Sequence, residues 1–99
     1  MSGNRYGKDF NLFRLVTVTN TAFNTESDVK MTIRGQNHFS LVNYGSATVQ
    51  YSFNGVDVFG DLRNGTPTAA LTFQNRSISE IWFRLTSPGS VEVRVEAWA

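Results

Sequence analysis

The sequence predicts an all-β domain, a single antiparallel β-sandwich of about eight short strands, on three observations. Apolar side chains alternate with polar ones over short segments, and no stretch of comparable length carries the 3.6-residue repeat of an amphipathic helix. Gly, Asn, Ser and Pro interrupt these segments, as the turns of a many-stranded fold require. The 99 residues hold one core and not two, because a chain of this size buries only roughly 60 to 65% of the surface its unfolded form exposes.

The first nine residues are polar, include two Gly and carry Arg5, Tyr6 and Lys8, so 1–9 reads as a mobile arm ahead of a domain spanning 10–99. Residues 10–19 (FNLFRLVTVT) are rich in β-branched and aromatic side chains with apolar groups on both parities. That pattern predicts a strand covered on both faces and makes Phe10 and Phe13 candidates for contact beyond the domain. Strand character lapses between Asn20 and Asp28, and then Val29, Met31 and Ile33 alternate with Lys30, Thr32 and Arg34. After the Gly35-Gln36-Asn37 break, Phe39 and Leu41 open the next strand.

Val49, Tyr51 and Phe53 alternate with Thr48, Gln50 and Ser52 up to Asn54-Gly55, a strong two-residue hairpin signal because both turn positions need positive φ. With Phe53 paired to Val56, Tyr51 faces Val58, Gln50 faces Phe59, and Val49, Tyr51 and Val58 share the core face. The turn Asn43-Tyr44-Gly45-Ser46 is expected to join the preceding strand in the same way, giving a three-strand meander over about 38–62. Beyond Asn64-Gly65-Thr66-Pro67, Ala69, Leu71 and Phe73 alternate again. The last two strands carry Ile81, Phe83, Leu85 and Val91, Val93, Val95, Ala97 inward and read as a hairpin across Pro88-Gly89. A loop over 86–90 sets Leu85 opposite Val91, Arg84 opposite Glu92 and Trp82 opposite Arg94. The same register opposes Glu80 to Glu96, a like-charge conflict that counts against it or points to a neighbouring cation.

Composition narrows the function. Eight Phe, three Tyr and two Trp supply one packed core without staples. The absence of Cys removes thiolate metal sites, Cys nucleophiles and redox switches. Nine basic and eight acidic residues leave a net charge of +1, too balanced for a strong nucleic-acid footprint, and the slight basic excess of the first third does not change that. No apolar run approaches the roughly 18 residues that span a bilayer, and the polar start has no signal-peptide pattern, so neither membrane insertion nor export is expected. The sequons at Asn64 and Asn75 are then incidental.

No constellation of catalytic type emerges. His38 stands alone at the start of a strand with no nucleophile-elbow pattern, and one imidazole without Cys does not make a zinc site. Asn54, Asp57 and Asp61 are hard oxygen ligands, but their spacing is not that of a calcium loop. Glu80, Glu92 and Glu96 interleave with Arg84 and Arg94 and read as a salt-bridged solvent face, not as a paired acid and base. Neither cofactor nor metal is expected. Trp82 and Trp98 point by parity away from the core, which leaves open either cover by a loop of the same chain or an interface.

At 41–55 the string LVNYGSATVQYSFNG resembles a pattern of small virion proteins of tailed bacteriophages, in which Asn-x-Gly-(Ser/Pro)-x-Thr-Val precedes Tyr-Ser-Phe-Asn-Gly. LTFQNRSISEIWFRL and the closing VEVRVEAWA continue the likeness, which runs from Phe39 to the end, while 1–35 show none. The resemblance implies a β-sandwich of jelly-roll type that decorates or cements a capsid lattice or sits in the tail, without catalysis. It also implies a homotrimer or other low-order oligomer, partnered by the major capsid or other virion proteins and located in virions assembled in the host cytoplasm. Arg5, Tyr6, Lys8, Phe10, Phe13, Trp82 and Trp98 are the candidate partner contacts. The competing expectation is a carbohydrate- or receptor-binding module of a phage tail, with Trp82, Trp98 or Tyr44 stacking on sugar rings.

Overall fold

A computed structural model describes residues 12–30, 38–63, 70–74 and 78–98. These form eight strands and no helix: β1 (Leu12–Val18), β2 (Val29–Lys30), β3 (His38–Asn43), β4 (Val49–Ser52), β5 (Gly60–Leu62), β6 (Ala70–Phe73), β7 (Glu80–Leu85) and β8 (Val91–Trp98). They assemble into two antiparallel four-stranded sheets, ordered β1-β8-β3-β6 and β2-β7-β4-β5.

The alternation read from the sequence decides which side chains are buried. Phe39 and Leu41 of β3 and Val91, Val93, Val95 and Ala97 of β8 pack with Val49 and Tyr51 of β4 and Ile81, Phe83 and Leu85 of β7 in one cluster fed by both sheets. Burying each such side chain contributes roughly 1.5 to 3 kcal/mol. Phe39 stacks on Phe73 with ring centroids 4.5 Å apart, and Phe53 meets Phe39 edge-on at 5.8 Å, so aromatic contacts bridge the sheets at the end where β3 begins.

Pairing departs from the sequence reading in three places. First, β3 and β4 are not hairpin partners; the chain between them passes from one sheet to the other, so there is no three-strand meander over 38–62. Asn43 makes that corner possible. Its buried Nδ2 donates to the carbonyls of Ala47 and Leu62, each at 2.8 Å, while its Oδ1 accepts from Gly45 N at 2.7 Å. Gly45 leaves room for β8 there, since a Cβ on it would lie 2.6 Å from a Val91 methyl.

Second, Asn54-Gly55 does not close a two-residue hairpin: Tyr51 faces Gly60 and Val49 faces Leu62. The reason is local competition by side chains. Asn54 Oδ1 accepts from Val56 N (2.8 Å) and Asp57 N (2.9 Å), and Ser52 Oγ accepts from Gly55 N (2.9 Å), so polar side chains satisfy the backbone where ladder bonds were expected. Val58, expected in the core, is 43% exposed on the resulting loop.

Third, β7 and β8 lie in different sheets. Leu85 pairs with Val49 and Val91 with Val18; Arg84 sits across from Gln50, Trp82 from Ser52, and Glu80 from Lys30. Glu96 sits between Phe13 and Ser40, so the conflict between Glu80 and Glu96 disappears with the hairpin that created it.

Candidate functional site

β1 is an edge strand, paired with β8 along its full length, Leu12 with Ala97 through Val18 with Val91. The strand expected to be covered on both faces is covered on one: Val18 is buried, whereas Phe13 is 62% and Leu15 50% exposed on the outward face. Outward on β8 stand Glu92, Arg94, Glu96 and Trp98, and outward on β3 stand His38, Ser40 and Val42. The rows across this face run Phe13, Glu96, Ser40, Thr72 and Leu15, Arg94, Val42, Ala70.

The face joins apolar anchors to a polar interior of low net charge. Arg94 Nε lies 3.4 Å from Glu96 Oε1, and the Arg94 guanidinium carbon lies 5.5 Å from the centroid of the exposed Tyr44 ring. Both contacts hold the guanidinium against the sheet. His38, which stood alone in the sequence, stacks on Trp98 at 5.9 Å and 21°, which sets the indole at the end of the face. Among the described residues, Leu12, Phe13, Glu96, Ala97 and Trp98 line a groove of about 300 Å³, with Glu96 as the titratable side chain. Such a groove can receive an apolar or aromatic group.

Of the residues picked out by sequence, Phe13 and Trp98 meet at this groove. Trp82 does not join them. It points away from the shared core, as parity required, but is only 9% exposed, because the loop over 53–59 lies on it. Gly55, at φ 78°, packs so closely that a Cβ there would stand 2.9 Å from the indole. Cover by the same chain is therefore what the structure gives for Trp82. Arg5, Tyr6, Lys8 and Phe10 lie outside the described residues. Leu15 was missed, although its parity with Phe13 was the available signal. The loop also exposes Val56, Val58 and Phe59.

The polar clusters considered for chemistry are engaged with their neighbours. Asn54 Nδ2 donates to Asp57 Oδ2 at 3.0 Å, Arg63 Nε pairs with Asp61 at 3.3 Å, and Glu80 accepts from Ser27 Oγ at 3.3 Å. Glu80 lies in a different sheet from Glu92 and Glu96. Among the described residues no group of three or more His, Asp or Glu stands ready to hold a metal ion. Comparison with protein-family models, curated proteins and solved structures finds no match to this chain.

Proposed function

We propose that this chain is a non-enzymatic structural protein of a tailed-phage particle, a capsid decoration or cement protein that stabilises the head lattice. In this reading the eight strands form a jelly-roll sandwich. The pairing supports it: first strand with last, second with seventh, third with sixth and fourth with fifth make one long hairpin of strand pairs. The added neighbours, β8 with β3 and β7 with β4, are those that rolling such a hairpin into two layers creates. A jelly roll serves many functions, so the role rests on the surface and on the likeness of 39–99 to small virion proteins.

The observation that carries the role is the outward face of β1. Phe13 and Leu15 stand in the open beside the Trp98 groove on a rigid sheet, and exposed apolar anchors ringed by polar groups mark protein contact surfaces. Cementing asks for this combination, because a lattice is strengthened by burying anchors that cost little ordering entropy. The protein is expected to pellet with purified phage heads at a fixed ratio. Replacing Phe13 and Leu15 together by Lys is expected to weaken that association at least about tenfold with the thermal midpoint unchanged. A wild-type protein that stays in the supernatant overturns the assignment.

The groove also favours a second reading, a glycan-binding module of a tail. Its volume of about 300 Å³ suits one sugar ring, with Trp98 as the stacking wall and Glu96 as acceptor for hydroxyl groups. Saturable glycan binding that is lost in Trp98→Ala, together with no affinity for heads, would select it.

A further inference from the structure

We infer that β1 pairs antiparallel with β1 of a second copy, about a two-fold axis through Leu15, joining two four-stranded sheets into one continuous eight-stranded sheet. This goes beyond the virion assignment and does not rest on it; it follows from how the four sheet edges differ.

Unpaired edges expose rows of N–H and C=O groups, and proteins that remain alone blunt them. Three edges here are short, dressed or without apolar anchors. Beside β2 the loop that precedes it serves the same side of β7. Leu85 N donates to Asn20 O at 2.8 Å, Asn20 Nδ2 donates to Phe83 O at 2.9 Å, and Asp28 Oδ2 accepts from Phe83 N at 2.8 Å. β5 has three residues, and the described part of β6 turns the small Ala70 and Thr72 outward. The described part of β1, Leu12–Val18, has no Pro or Gly, runs in unbroken register with β8 and carries Arg14 as its one charge. Among the described residues no strand pairs with its outer edge. Its outward side chains are the exposed Phe13, Leu15 and Thr17, where a guarded edge would carry Lys.

The occupant is a second copy because the edge complements itself. A two-fold axis normal to the sheet keeps outward side chains outward only if each residue meets one of the same parity. Centred on Leu15, the pairing uses all seven residues: Leu15 meets Leu15, Phe13 meets Thr17, Leu12 meets Val18, and each Arg14 meets Val16 of the other copy. Centring on Arg14 opposes two guanidinium groups, which is unfavourable. Centring on Val16 leaves Leu12 and Phe13 beyond the partner strand. In the favoured register the apolar anchors merge into one stripe, and Glu92, Arg94 and Glu96 of each β8 flank it as a polar rim.

The chain contains no Cys, so single introduced cysteines report the register without interference. Directly opposed residues of antiparallel strands have Cα atoms about 4.5 to 5.5 Å apart, within the roughly 4.4 to 6.8 Å that a disulfide spans. Under mild oxidation Leu15→Cys is expected to become a covalent dimer. Phe13→Cys alone is not, since its two copies stand four residues apart, about 13 Å; mixed with Thr17→Cys it is. Light scattering of the wild type is expected to show mass doubling with rising concentration, and Leu15→Lys is expected to stay monomeric with an unchanged melting temperature. A wild type that is monomeric up to millimolar concentration, or that forms a trimer, overturns the pairing. So does cross-linking of Leu15→Cys no faster than that of Val56→Cys on the exposed loop. Binding to phage heads is read in a separate experiment, so either conclusion can fail without the other.

Discussion

Asn43 shows how much one polar side chain decides here. It is 5% exposed, and its amide is held between the carbonyls of Ala47 and Leu62 and the N–H of Gly45, tying the corner between β3 and β4 to the far end of β5. Asn43→Ala leaves the buried Leu62 carbonyl and the half-buried Ala47 carbonyl without their donor and is expected to lower stability by about 2 to 4 kcal/mol, read as a shift of the urea midpoint. Trp82 makes the complementary case. Parity in the sequence placed it correctly outside the shared core, but nothing local announces that a loop seven residues long will fold back over it. Because it is a packed side chain, Trp82→Ala is expected to cost about 3 kcal/mol in thermal or urea unfolding while leaving attachment to phage heads intact. Lost attachment with normal stability would return Trp82 to the interface.

At the scale of strands, alternation determines which face is buried but not which neighbour a strand meets. The inward sets Ile81, Phe83, Leu85 and Val91, Val93, Val95, Ala97 are all buried as the sequence indicates. Sequential strands pair in most folds, and that preference misled at β3 with β4 and at β7 with β8, where the chain changes sheet. The opposition of Glu80 to Glu96 was the legible warning, since real registers avoid directly opposed like charges. The guarded edge of β7 was not legible, because it depends on Asn20 and Asp28 reaching residues more than fifty positions away. Asp28→Ala removes the acceptor for Phe83 N and is expected to destabilise by about 1 to 2 kcal/mol, with faster amide exchange at Phe83 as the local signature. Exchange unchanged at Phe83 would show that Asp28 does not cap this edge.

The whole molecule joins a guarded second sheet to a first sheet whose leading strand is open and apolar. That asymmetry suits the proposed role of a subunit that its neighbours complete, in which one edge gains by contact. The count of strands and the apolar content of β1 could be read directly from the sequence; the groove at Trp98 could not, because it arises only when β1 and β8, the first and last strands, lie side by side. The most direct test of the structural role is quantitative mass spectrometry of phage particles purified from cells that express the chain. The protein is expected in the particles at a constant ratio to the major head protein, retained through gradient banding, and depleted when Phe13 and Leu15 are replaced by Lys. Particles that assemble and band without it would contradict a structural role in the particle.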